Sequence, residues 1–237
     1  MKDLGGRAAS LLTAIAVALV IVALAIIPFL SPQWVAFAQD RAEAAAWTGF
    51  TSEELRTATN AILADLVFGP PDFDVEIGGL PVLNEREQGH MRDVRTVFAG
   101  LFAAAAVSVI VLLVASRRGD RVRMWRSVRR GAIGLIVGTV IVGVVGLVAF
   151  DQLFELFHRI FFPAGSYLFD PATDRLVQLF PFRFWEESAM AVGAVIIGLS
   201  LLTAWVAGRR GRAAVAAASA EAAPVPVNGA TEASEPA

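Results

Sequence analysis

The sequence predicts an all-α integral membrane protein. It has four transmembrane helices, both termini on the cytoplasmic side, and a mostly helical extracytoplasmic cap formed by two long outer loops. Three observations carry this. The windows Ser10–Leu30, Thr96–Ala115, Gly131–Phe150 and Ser188–Ala207 contain no charged residue. Each is long enough to cross ~30 Å of hydrocarbon as a helix, and apolar all round where a strand would alternate. The chain is 56% hydrophobic with a mean hydropathy of +0.62, well above a soluble domain.

Charge then orients the spans. SRRGDRVRMWRSVRR, between the second and third windows, has seven arginines against one aspartate. GRRGR follows the fourth window, and Lys2 and Arg7 precede the first. The other two segments are acidic: Ser31–Asp93 has eleven carboxylates to four arginines, Asp151–Glu187 six to three. The expected organisation is therefore 1–9 cytoplasmic, 10–30 first span, 31–93 outer loop one, and 94–115 second span. It continues with 116–130 arginine-rich cytoplasmic loop, 131–150 third span, 151–187 outer loop two, and 188–207 fourth span. Residues 208–237, rich in Ala, Pro and Glu, read as a disordered cytoplasmic tail.

The first window has a second reading as a cleaved signal peptide, with AFA (Ala36–Ala38) as the cleavage site; its length favours retention. In loop one, TSEELRTATNAILADLVFG opens with a capping box, Thr51 with Glu54, and Leu55, Ala58, Ile62, Leu63 and Leu66 recur at helical spacing. Gly69-Pro70-Pro71 stops it. FDVEIGGLPVL reads as a short extended or turn segment. NEREQGHMRDVR starts a helix with Asn84 as N-cap and Glu87 at the capping-box position, running unbroken into the second span. In loop two, FDQLFELFHRIFF continues the third span as a helix, and Asp151, Phe154, Glu155 and His158 fall on one face. A turn at Asp170–Asp174 precedes an aromatic stretch suited to the lipid–water boundary.

The chain has no cysteine, which excludes disulfides, zinc thiolates and cysteine nucleophiles. No charge interrupts a span, which argues against an ion-coupled transporter. The arginine loop reads as a topology determinant near anionic lipid, with no nucleic-acid partner. GLIVG (Gly134–Gly138), with Gly143 and Gly146 beyond it, reads as close helix packing.

His90 and His158 are the two histidines in the chain. They come from different outer loops, share one face of the membrane, and each sits near the base of a helix. Carboxylates lie at helical spacing from each, Glu87 and Asp93 around His90, Asp151 and Glu155 around His158. A carboxylate orienting one ring nitrogen would leave the other a neutral base near pH 7. Arg92, Arg159 and Tyr167 are candidate oxyanion or phosphate-proximal groups. Zinc held by two histidines and a carboxylate is the competing chemistry, but no HExxH or other tight ligand spacing supports it, and no metal or cofactor is expected.

NEREQGHMRDVRTVF and DQLFELFHRIFFPAGSYLFDPATDRLVQLFPFRFW resemble the two signature blocks of a bacterial four-span membrane family, that of the lipoprotein intramolecular transacylases. Its pattern is Glu–Arg–Glu…His–Met…Asp–Val entering the second helix. After the third helix come Phe–His…Phe-Phe, an aspartate-containing turn and Phe-Pro…Phe-Phe. The resemblance runs from Ser10 to about Trp205; Tyr167 stands where the family has tryptophan, and the tail is an addition. It implies an enzyme of the bacterial cytoplasmic (inner) membrane, active on the extracytoplasmic face. Such an enzyme moves the sn-2 O-acyl chain of a diacylglyceryl-cysteine lipoprotein to that cysteine's own α-amine, with His90 and His158 as the essential pair. Partners are then diacylglyceryl-modified lipoproteins and membrane lipids. His90 is favoured as the base, with the reverse assignment open. A membrane-surface lipid esterase or other acyltransferase, or a non-catalytic scaffold, are the rival readings.

Overall fold

A computed structural model describes residues 2–118 and 120–221. Helix α1 (Lys2–Ile26) passes into a 3-10 turn at Ile27–Leu30, where Pro28 ends the regular hydrogen bonding. Three helices follow, α2 (Pro32–Arg41), α3 (Ala44–Thr48) and α4 (Ser52–Val67), then a two-stranded hairpin, β1 (Glu76–Ile77) and β2 (Leu80–Pro81). The long helices α5 (Glu85–Arg118) and α6 (Arg121–Phe161), the short α7 (Arg175–Leu179) and the long α8 (Phe182–Glu221) complete the chain. Helices α1, α5, α6 and α8 are each long and apolar enough to cross a membrane.

Local chemistry accounts for the boundaries. Thr51 and Glu54 form the expected capping box of α4, and Asn84 with Glu87 forms that of α5: each N-cap side chain accepts from the N3 backbone, and each glutamate accepts in return. Ser31 caps α2 ahead of Pro32 at the first helical position. The hairpin turns through Gly78 and Gly79, both at positive φ, a conformation glycine adopts without strain. Asp120 caps α6 by accepting from the N–H groups of Val122 and Arg123.

The packing divides in two. Loop one and loop two share one core, built around Val35, Ile62, Phe73, Leu83, Leu179 and Phe184. The aromatic stretch of loop two therefore belongs in part to this core: Phe180 and Phe184 are buried, while Phe182 and Trp185 stay exposed. The four long helices bury far less. Val17, Ile21 and Ala132 form the small buried cluster between them, and α6 exposes Val140, Val142, Val144, Leu147 and Val148. An apolar surface of this extent requires an apolar solvent.

Helix α1 lies along α5 and α6, and α6 along α8. The α1 and α6 backbones come close at Gly131, where an added Cβ would stand 2.5 Å from the Ala14 carbonyl oxygen. The expected packing through Gly134 and Gly138 is not observed, since nothing stands within 4 Å of a Cβ at either. The AFA stretch lies inside α2, with Ala38 buried in the cap core.

Two expectations of disorder or continuity are corrected. Residues 208–221, read as disordered, are helical, because the run RAAVAAASAE up to Glu221 is rich in alanine, the residue of highest helix propensity, and proline first enters this tail at Pro224. Residues 222–237 lie outside the described residues. Helix α6 is not continuous into loop two: Ala149 has non-helical angles (φ −146°, ψ 41°), so Phe150–Phe161 leaves at a kink.

Candidate active site

Asn84 starts α5, and His90 follows within its second turn. Phe154 and His158 sit on the α6 segment beyond the Ala149 kink. These two helices bring the imidazoles together, with ring centroids 5.9 Å apart and planes inclined by 21°. Both histidines lie outside the charge-free runs of their helices, on the extensions toward the cap.

Aromatic rings enclose the pair. Phe162 is 4.7 Å from His90 and 5.3 Å from His158, centroid to centroid. Phe169 stands 5.4 Å from His90, and Phe154 and Tyr167 stand 4.3 and 5.1 Å from His158. His90 is only 6% exposed, and its Nδ1 is buried without a hydrogen-bond partner. His158 Nδ1 lies 2.7 Å from the Phe154 carbonyl oxygen. A carbonyl only accepts, so Nδ1 carries the hydrogen and the Nε2 lone pair is left bare.

Burial pushes the His90 imidazole down to about 4, and the neighbouring His158 pushes the same way. Burial also lowers His158, opposed by its bond to the Phe154 carbonyl. Both rings are thus neutral near pH 7.

The expected carboxylate partners are elsewhere. Glu87 is 1% exposed, but its two oxygens accept from the backbone N–H groups of Asn84 (2.7 Å) and Leu176 (2.6 Å). It tethers loop two to α5 and reaches neither imidazole. Asp151 is exposed, and exposed Glu155 pairs loosely with Arg159 at 4.0 Å. Asp93 makes no hydrogen bond or ion pair among the described residues, and Arg92 donates to the Asp72 carbonyl. Of the sequence candidates, only Tyr167 joins the two histidines.

The parts played by Asp174, Arg86 and Phe169 went unnoticed in the sequence. Buried Asp174 accepts from the Asn84 side chain (3.1 Å) and from Arg86 (2.6 Å), and the Arg86 guanidinium lies 5.0 Å from the centre of the Phe169 ring. The NERE stretch therefore clasps the aspartate turn and holds Phe169 against His90. Among the described residues no three His, Asp or Glu side chains converge as a metal site would require.

Fold and site together define an integral membrane protein with a paired-histidine site, walled by aromatic rings, where two helices enter a folded cap. Residues 11–185 match the family described as lipoprotein intramolecular transacylase Lit, and the chain belongs to that family. The in meso structure of the membrane integral transacylase Lit from Bacillus cereus has a TM-score of 0.70 at 19% identity. That match covers 92% of this chain and 99% of the other. Its form with a histidine-to-arginine mutation has a TM-score of 0.69 at 18% identity, covering 93% and 96%. An uncharacterised protein of Aquifex aeolicus (strain VF5) is 24% identical over 136 residues, 56% of this chain. The chain matches only 60% of that relative's length.

Proposed function

We propose that the chain transfers an O-acyl chain of a diacylglyceryl-modified lipoprotein to the α-amine of the same molecule's N-terminal cysteine. The observation that carries this reading is the stacked histidine pair, neutral and aromatic-walled, beside helices that present apolar surface to lipid. The arginine segments support an orientation with the site on the extracytoplasmic face, the side of the bacterial cytoplasmic membrane on which such lipoproteins are displayed.

The chemistry balances with two imidazoles. The neutral α-amine attacks the ester carbonyl; at pH 7 about a tenth of an amine with pKa 7.7–8.0 is neutral. His158 Nε2, its lone pair bare, takes the proton as the C–N bond forms. The C–O bond then breaks and His158 returns the proton to the departing glycerol oxygen. This reverses the assignment favoured by sequence, because the Phe154 carbonyl sets the His158 tautomer and no acceptor sets that of His90. His90 donates to the oxyanion. Such proton transfers contribute about 10²–10⁴-fold. Donor and acceptor share one molecule, so alignment supplies much of the rest. Phe154, Phe162 and Phe169 keep out the water that would hydrolyse the same ester.

The test is mass spectrometry of a reporter lipoprotein's N-terminal peptide, in a host lacking its own N-acylating enzyme. The expected product has unchanged mass, with fragments placing one acyl chain on the amine. A persistent diacylglyceryl peptide with a free amine, at good membrane expression, sinks the reading; released fatty acid makes the chain an esterase.

A further inference from the structure

The end of the bundle away from the histidines gathers arginines around a cavity. Between α1 and α6 lies a cavity of about 530 Å³, lined by Arg7 of α1 and by Arg123, Arg126 and Arg130 of α6. Their spacing on α6 puts the three guanidinium side chains on one helix face. Its lining also includes Leu11 and Ala14, in the charge-free run of α1. We propose that this cavity binds the phosphate-bearing headgroup of an anionic membrane phospholipid.

Charge is the first argument. Asp120 is the acidic residue in the lining, and its Oδ1 already accepts from the Val122 and Arg123 N–H groups as the α6 cap. Among the described residues, Arg123, Arg126 and Arg130 form no salt bridge. Three guanidinium groups on one helix face that make no ion pair repel one another, and a phosphate relieves this through bidentate, charge-assisted hydrogen bonds.

Shape is the second. Gly6 has no side chain, and the Arg123 guanidinium lies against α1 where a Cβ would be. A second cavity of about 530 Å³, between α6 and α8, shares Arg126 and adds Arg129 and Arg212. Basic pockets between transmembrane helices at the cytoplasmic side are suited to lipid headgroups.

The apolar lining separates a lipid from free phosphate. Leu11 is 62% exposed at the start of the charge-free run, so acyl chains can continue from the headgroup along α1. On the orientation proposed above this is the inner leaflet. The site does not depend on the acyl-transfer reading, and either can fail without the other.

The test uses the full chain, delipidated in neutral detergent, followed by native mass spectrometry and thermal unfolding. Three probes are added: phosphatidylglycerol, phosphatidylcholine with the same chains, and glycerol 3-phosphate. Phosphatidylglycerol should be retained and raise the Tm, with affinity falling at least tenfold between 50 and 500 mM NaCl, estimated for a site of several phosphate contacts. Phosphatidylcholine and glycerol 3-phosphate should do neither. Arg123→Gln with Arg126→Gln should weaken binding about 25-fold, at about fivefold for each charge removed. Arg210→Gln, outside both cavities, should leave it unchanged. Equal retention of the two lipids, a salt-independent affinity, or undiminished binding by a folded double variant would overturn the proposal. A full shift with glycerol 3-phosphate would make this an anion site and overturn the lipid assignment. The wild-type lipid and salt comparisons decide the matter even if the double variant does not fold.

Discussion

At the residue scale, two histidines in the same enclosure are prepared differently. The Phe154 carbonyl holds the His158 hydrogen on Nδ1, whereas the Nδ1 of His90 is buried without a partner. His90→Ala and His158→Ala should each lower turnover by about 10²-fold or more at unchanged expression, measured as N-acyl product per folded enzyme. Asp151→Asn and Glu155→Gln should stay within about twofold, since both side chains are exposed and bonded to neither ring. The pair was legible from its rarity and placement, but its supporting chemistry was not. Helical spacing suggested carboxylate partners for both rings and could not reveal that Glu87 faces Leu176 instead, because that contact joins residues 89 positions apart.

The same residues define a pH dependence. Burial lowers the His90 pKa, so an unfolded chain takes up a proton below about 6.5 while the folded chain remains neutral there. Stability therefore falls as pH drops from about 6.5 toward 4, and is unaffected by this group above that window. Activity should show no half-loss at the ordinary imidazole value. It should instead rise through about pH 7.7–8.0 as the substrate amine loses its proton. A pH profile of kcat/KM with its main limb near 6.5 would contradict this.

At the element scale, the periodic helices and their caps were readable because their signals are local. Thr51–Glu54 and Asn84–Glu87 each specify a helix start from within four residues. Helices α2, α3 and α7 were missed. Ser31-Pro32 could have announced α2, but α3 and α7 have five residues each and depend on the shared core of the cap. The Ala149 kink had no proline to mark it. Glycine spacing misled in a testable way. Gly131→Ala would force a Cβ against the Ala14 carbonyl and should cost about 1–3 kcal/mol. Gly134→Ala meets nothing and should be neutral or stabilising by up to about 1 kcal/mol. Thermal unfolding of the two variants in detergent checks both, and equal destabilisation would refute the packing described.

At the scale of the whole molecule, the structure solves two burial problems with two solvents. Loops one and two build a water-type core around Ile62, Phe73, Leu83 and Leu179, whereas the long helices leave their valines and leucines facing outward. Four charge-free windows made the second half obvious in sequence. The first half was hidden because its core joins segments from both ends of the chain, Val35 with Phe184. Glu87 is one of the ties that hold those segments together. Glu87→Ala should lower stability by about 1–3 kcal/mol, because the Asn84 and Leu176 N–H groups lose their acceptor. Thermal unfolding would register that loss, and an unchanged Tm would show that the tether is dispensable.

The most direct test of the account is a crossover experiment with the full chain in nanodiscs. Equal amounts of two diacylglyceryl lipopeptides are mixed, one with heavy acyl chains and a heavy peptide, the other unlabelled. Transfer within one molecule, in a site that excludes water, predicts N-acylated products in which heavy chains stay on heavy peptide, with little free fatty acid. Heavy chains on light peptide, or fatty acid as the main product, would contradict it.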